Sequence, residues 1–302
     1  MSSIQLDTKE HPPHLHVPVL LEQSLSILQP KKGESYLDLT AGYGGHAKEF
    51  LKITKNYKDS VLVDRDEFAI LNLKALQAKG AELMHTDFIS ATEKLIEEEK
   101  KFDIVFVDLG VSSPQLDKEE RGFSFNKDGP LDMRMDRRQD ISAADIVNRA
   151  TPKELETIIA KYGEEKPAFT ARIVEAIRTN RPIRTTKELS DLILSQHRGG
   201  WQKTHPATRT FQALRIATNE EIKQVENLLP KLSKLLNNGG RVGIISFHSL
   251  EDRLVKQYFK DQDEAGLEAS LKLLTKKPID GATYDVHNPR SRSAKLRAAV
   301  KK

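Results

Sequence analysis

The segment Asp38-Leu39-Thr40-Ala41-Gly42-Tyr43-Gly44-Gly45-His46 brings a carboxylate, three glycines and an imidazole into one short stretch. Glycines let the backbone turn sharply and approach a ligand, and a helix opening after them aims its first N–H groups at that ligand. Gly42, Gly44 and Ala47 satisfy G-x-G-x-x-A, with Asp64 about 20 residues on, where a carboxylate binds ribose hydroxyls. Two further aspartates close short apolar runs: Asp87 beside Phe88, and Asp108 before Leu109-Gly110-Val111-Ser112-Ser113-Pro114-Gln115. An acceptor next to an aromatic face suits adenine, and an aspartate leading into a polar turn suits a group whose hydrogens must be held.

NAD and S-adenosylmethionine both carry a ribose, so the glycine and Asp64 spacing admits either. Three positions favour the sulfonium cofactor. Asp38 lies where it can accept from a cationic amino group that NAD lacks, Phe88 offers a face to adenine, and Asp108 falls beside the place a methyl group would leave. The plainer alternatives are a helix cap for Asp38 and a core position for Phe88. Cysteine is absent, which removes disulfides, thiolate metal sites and a thiol nucleophile. Methylation at carbon 5 of a pyrimidine commonly uses such a thiolate. An exocyclic amine needs no covalent step, but its lone pair is delocalised, so acceptors must bind its hydrogens and favour the pyramidal form. Asp108, with Ser113 and Pro114 in its turn, is the candidate catalytic group; an ordinary turn is the alternative for the serines and proline. His46 is read as a cofactor contact through its backbone, with proton carriage as the alternative. His11, His14 and His16 lack thiol partners, and no metal is expected.

These residues need a scaffold that places them on one edge. From Ser35 to Asp108, short apolar runs alternate with amphipathic ones, the pattern of a parallel sheet wound with helices. Strands are expected at Tyr36–Thr40, Val61–Asp64, Glu82–Met84 and Phe102–Asp108, with helices through Lys48 and Leu51, over Glu67–Lys79, and from the capping box Ser90-Ala91-Thr92-Glu93. The alternation resumes at a second box, Thr218-Asn219-Glu220-Glu221, leading a helix to Asn237 and a strand from Arg241 to Phe247. The gap of about 100 residues far exceeds an ordinary connection of about 2–6, so it should be an inserted subdomain. Thr151-Pro152-Lys153-Glu154 and Thr185-Thr186-Lys187-Glu188 have helix-start chemistry, and Leu155, Ile158, Ile159 and Ile173, Val174, Ile177 recur at helical spacing. The expected fold is α/β, with an all-helical insertion over 115–212 between 1–114 and 213–302.

Of 302 residues, 38% are hydrophobic and 30% charged, as in a globular protein, and Lys+Arg 48 against Asp+Glu 44 leaves +4. That surplus is concentrated. Residues 172–215 carry nine basic against three acidic side chains and 286–302 carry six against none, so the remainder holds −8. Two cationic zones on an acidic protein favour a polyanionic partner over a merely solvated face. MSSIQLDTKE has no basic region followed by an apolar stretch, and no long uncharged apolar run occurs, so a cytoplasmic location without membrane contact is expected.

The residues together resemble the bacterial 16S rRNA (cytosine-N4)-methyltransferases. The resemblance spans nearly the whole chain: His16 to Leu21, the cluster through Gly44-Gly45-His46, Asp108 to Gln115, Arg121-Gly122-Phe123-Ser124-Phe125, Gly129 to Met135, His205 to Arg215, Ser246 to Arg253 and Asn288 to Lys295. It implies a class I (Rossmann-like) methyltransferase domain with a helical insertion, and methylation of the N4 amine of a cytosine in the decoding region of 16S rRNA. By the same resemblance the S-adenosylmethionine site comprises Gly44, Gly45, His46, Asp64, Phe88, Asp108 and Gln115. Arg209 and Arg215 in the insert, with Arg290, Arg292 and Lys295 in a C-terminal tail, are the candidate grips on rRNA phosphates, and the partner is 16S rRNA or the small subunit, a homodimer being allowed. Related amino-methyltransferases follow their acidic or polar residue with two prolines and an aromatic, whereas Ser112-Ser113-Pro114-Gln115 has no aromatic, and Phe123 or Phe125 is the candidate replacement platform for the base. His205 and His248, beside Arg209 and Arg253, are assigned to RNA or interdomain contact. The rivals are an NAD-dependent oxidoreductase and a non-catalytic RNA-binding assembly factor.

Overall fold

The computed structural model describes residues 18–200 and 204–302; His11, His14, His16 and Val17 lie outside them. Eight strands form one sheet: β1 (Tyr36–Asp38), β2 (Val61–Asp64), β3 (Glu82–His85), β4 (Phe102–Asp108), β5 (Leu236–Ser246), β6 (Leu271–Leu273), β7 (Ile279–Asp280) and β8 (Lys295–Lys301). Their order is β3-β2-β1-β4-β5-β8-β6, with β7 also on β8. The first five are parallel and β8 runs against its neighbours. The sheet reverses its winding between β1 and β4, where α/β folds bind ligands at the strands' carboxyl ends. This is a doubly wound, Rossmann-like α/β sheet with inserted helices.

Period-2 alternation along the strands divides the core between two faces. Ile104 and Phe106 of β4 pack with α1 (Leu21–Leu28), α2 (Gly45–Thr54) and α3 (Glu67–Gln77) through Leu28, Phe50 and Leu73. Val105 and Val107 pack oppositely, with α4 (Phe88–Glu97), Leu95 among its residues. Both faces are covered, which is why these strands read as unbroken apolar runs.

A third core belongs to the insertion. After the short α5 (Ser113–Asp117) come α6 (Ala143–Arg149), α7 (Pro152–Gly163), α8 (Pro167–Asn180), α9 (Thr186–Ser195) and α10 (Thr208–Asn219). Thr151 and Thr185 cap α7 and α9 through Glu154 and Glu188, as their spacing predicts. Leu155, Ile159, Ile173, Ile177, Phe211 and Leu214 share this core, so residues 212 and 213, on either side of the expected boundary, both sit inside α10. Gly163 explains how closely α7 and α10 pack: a Cβ there would stand 2.8 Å from the Arg209 carbonyl oxygen.

The remaining helices are α11 (Glu221–Leu228), α12 (Leu232–Leu235), α13 (Ser249–Glu264) and α14 (Gly281–Tyr284). Three expectations are corrected here. The Ser90 box does not open α4, because Asp87 accepts from Ile89 and Ser90 N–H and starts the helix earlier. Thr218 does not cap the helix expected after it: Thr218 and Asn219 finish α10, Glu220 takes a left-handed φ of 49°, the next helix starts at Glu221, and Asn219 binds Met133 O and Met135 N–H instead. The basic C-terminus is no free tail. Residues 295–301 form β8 between β5 and β6, with Leu296 and Ala298 in one core and Ala299 in the other. Small buried residues alternating with cations hid a strand inside a charge run. Among the described residues, no helix is long and apolar enough to cross a membrane.

Candidate active site

Asp38, Asp64 and Asp108 end β1, β2 and β4 on one edge of the sheet. Asp38 is fully buried and caps no helix. Its carboxylate accepts from the Tyr36 hydroxyl at 2.8 Å and from Thr40 N–H at 3.1 Å. Burial outweighs these bonds and pushes its pKa up to about 7. Asp64 clasps the glycine loop, accepting from Gly42 N–H and Asp66 N–H at 2.8 Å each, and burial raises its pKa as well. Gly44 has φ 80° and begins α2 as a cap without a side chain, leaving that helix's first turn uncapped. At Gly45 a Cβ would stand 2.7 Å from Pro18 Cγ.

Asp108 is held by its backbone, its N–H donating to Thr40 Oγ1 at 2.6 Å. Its Oδ2 lies 3.6 Å from His46 Nδ1, and the side chain is 26% exposed. Oδ1 is buried without a hydrogen-bond partner among the described residues, as is the Ser112 hydroxyl. Burial, then the fields of Asp38 and Glu251, hold the Asp108 pKa well above the carboxylate range. Unsatisfied buried acceptors are costly, and a site that keeps them is built for an absent donor.

The turn after Asp108 is the start of α5, with Pro114 in its first turn, where a missing N–H costs nothing. Gln115 is buried and committed at both ends of its amide: Oε1 accepts from Ser112 N–H at 3.0 Å and Nε2 donates to Asp66 Oδ2 at 2.8 Å. Arg121, 2% exposed, completes this knot by donating to Asp66 and to the carbonyls of Arg134 and Met135. Asp87 is spent as the α4 cap, so it is not the expected acceptor for adenine; Phe88 is buried at the helix start. Phe123 lies in the insertion core, while half-buried Phe125 packs at a tilt of 35° against His205, ring centroids 4.8 Å apart, and meets Phe211 edge-on.

The cationic candidates divide. Arg215 is interior, its guanidinium bound to Glu221 at 2.9 and 2.8 Å, which corrects its assignment to phosphate. Arg209 is half-exposed and bonds Glu164 O, Arg290 binds Asp117 twice, and Lys295 lies 3.2 Å from Asp252. Arg292 is exposed. His248 caps α13 and stands 3.2 Å from Glu251. Glu221, His248 and Glu251 approach as metal ligands would, but Arg215 already supplies the cation there. Thr40, Arg121 and Glu251 were not read as site residues: a charged side chain reads as surface unless its buried partner is known, and Thr40 meets Asp108 only across the β1–β4 pairing.

The model of the MraW methylase family matches residues 13–302. The chain belongs to that family. A protein named ribosomal RNA small subunit methyltransferase H from Caldicellulosiruptor bescii is 44% identical over 306 residues, covering 95% of this chain and 99% of its own. One of the same name from a Nostoc species is 45% identical over 300 residues, covering 97% and 95%. As an MraW family methylase the chain is an enzyme, and neither the nicotinamide reading nor the non-catalytic one has support.

Proposed function

We propose that this methylase transfers a methyl group from S-adenosylmethionine to the N4 amine of a cytosine in the decoding region of 16S rRNA. The observation that carries the chemistry is Asp108 Oδ1 at the end of β4, buried without a hydrogen-bond partner among the described residues, beside the glycine loop that Asp64 clasps. The residues fit the cofactor: one buried and two partly buried carboxylates whose charge is unfavourable without a cation, a glycine cradle, and an uncapped helix start.

Gly44, Gly45 and His46 offer main-chain N–H groups, Asp64 faces the ribose, and Phe88 borders the adenine. Gln115 serves this site by fastening Ser112 to the Asp66 knot. When bound, S-adenosylmethionine supplies an electrophilic methyl on a good leaving group, so alignment provides much of the rate. Asp108 and the Ser112 hydroxyl accept the amine hydrogens and favour a pyramidal, nucleophilic nitrogen. Ser113 and Pro114 fix the turn that places Ser112. The helical part, residues 115–212 with the rest of α10, recognises rRNA and presents an unpaired base. Phe125, packed against His205, is its aromatic platform; Phe123, locked in the core, is not. Arg209, Arg290, Arg292 and Lys295 face the phosphates.

The relatives' shared name supports rRNA of the small subunit as the substrate. Mass spectrometry of 16S rRNA from cells lacking the protein tests the proposal. One cytosine should lose its N4-methyl group and regain it on complementation; full methylation in the deleted strain refutes it.

A further inference from the structure

Asp108 has a neighbour that the reaction above leaves unused. The His46 ring is buried in the first turn of α2, with Nε2 2.9 Å from the Val19 carbonyl oxygen and Nδ1 3.6 Å from Asp108 Oδ2. Phe106 packs on the ring at 4.6 Å. A carbonyl oxygen only accepts, so Nε2 carries the hydrogen and Nδ1 is the nitrogen turned to the carboxylate. A neutral ring in that tautomer points a lone pair at Asp108, which is repulsive when Asp108 is ionised and attractive once a proton lies between them.

We propose that His46 is the positioning residue which takes up, through Asp108, the proton the amine must release, so that the pair, free of a shared proton when the amine binds, holds one after transfer. The inference rests on the site being an amine methyltransferase. As the N4 lone pair forms the new C–N bond the nitrogen becomes cationic. One N–H bond then breaks, its electron pair returning to nitrogen, and the proton passes to the Asp108 carboxylate. Nδ1 accepts it from there, leaving the carboxylate ionised and the imidazole charged, and water removes it when the site opens.

The acidic surroundings favour uptake of a proton by the Asp108–His46 pair. Asp38 on β1 and Glu251 on α13 bear on Asp108 with like charge. Tyr36 stays protonated, donating to Asp38, with its own pKa held up by burial and then by Asp38. Arg215 answers Glu221 and, more weakly, Glu251. Val19, Phe106 and Asp108 are among the contacts of the ring.

The test begins on the full chain without cofactor, labelled with nitrogen-15 histidine, His46→Gln giving the assignment. Above its titration His46 should show the Nε2–H tautomer, and Asp108→Asn should displace that titration. An Nδ1–H tautomer, or a titration indifferent to Asp108→Asn, overturns the inference. In single-turnover assays on small subunits, His46→Gln keeps a donor to Val19 but cannot take the proton. Its rate should fall about tenfold or more and its acid limb should move, with cofactor affinity within about twofold. Wild-type rate and pH profile in that variant would also overturn it. Absence of N4 methylation by the wild type would instead overturn the proposed function, while the tautomer experiment still judges the His46–Asp108 pair.

Discussion

The acidic edge of the sheet stores a charge problem that a cation resolves, and its pH dependence has a definite sign. Asp38 holds its proton to about pH 7 in the fold, against 3.8 for the free side chain. Between those values the native state binds more protons than the unfolded chain, so stability falls as pH rises. Asp64 and Asp108 act in the same direction. Urea unfolding from about pH 4 to about pH 7 should show this decline, and Asp38→Asn should flatten it; equal slopes in both proteins would contradict the burial argument. The same carboxylates should favour the sulfonium over its neutral thioether product. The affinity ratio of S-adenosylmethionine to S-adenosylhomocysteine, measured by calorimetry, should therefore rise with pH, and a constant ratio would count against the electrostatics. Asp38, Asp64 and Asp108 were legible because position at a strand end follows from apolar runs. Their partners were not: Thr40, Tyr36 and Val19 are brought in by strand register and helix docking, which one sequence does not encode locally.

At the scale of elements, β8 and the Asp66 knot join what the chain order separates. Truncation after Asn288 removes the strand that joins β6 and β7 to β5, so it should abolish cooperative unfolding rather than weaken RNA binding alone. A truncated protein with a native-like thermal transition would contradict this. Arg121→Ala leaves Asp66 buried beside Gln115 without its charge partner, and should cost about 3–5 kcal/mol by chemical denaturation. The β1–β4 winding and the capping boxes of α7 and α9 were readable from periodicity and cap chemistry. The C-terminal strand was not, because Lys295, Arg297 and Lys301 dominate its composition while Leu296, Ala298 and Ala299 fill the core. The Thr218 box failed for a related reason, since Asn219 found tertiary partners stronger than a local cap.

For the whole molecule, two basic zones in the sequence become two interior ion pairs, Arg215 with Glu221 and Arg297 with Asp252, and several half-answered surface cations. Arg292→Glu should weaken binding to rRNA and flatten its salt dependence while leaving cofactor affinity unchanged. Arg215→Glu should lower the melting temperature through repulsion with Glu221, whatever the RNA. If Arg215→Glu folded normally and Arg292→Glu bound as wild type, the division of charge drawn here would be wrong. The central claim is that Asp108 accepts the hydrogens of a cytosine amine at the sheet's carboxyl edge. Its most direct test is single-turnover transfer of an isotopically labelled methyl group to 16S rRNA in small subunits, with the product nucleoside identified. The account predicts label on N4 of one cytosine, and for Asp108→Asn a rate lower by about a hundredfold or more at near-normal cofactor affinity. Label on another atom, or an Asp108→Asn rate equal to wild type, would contradict it.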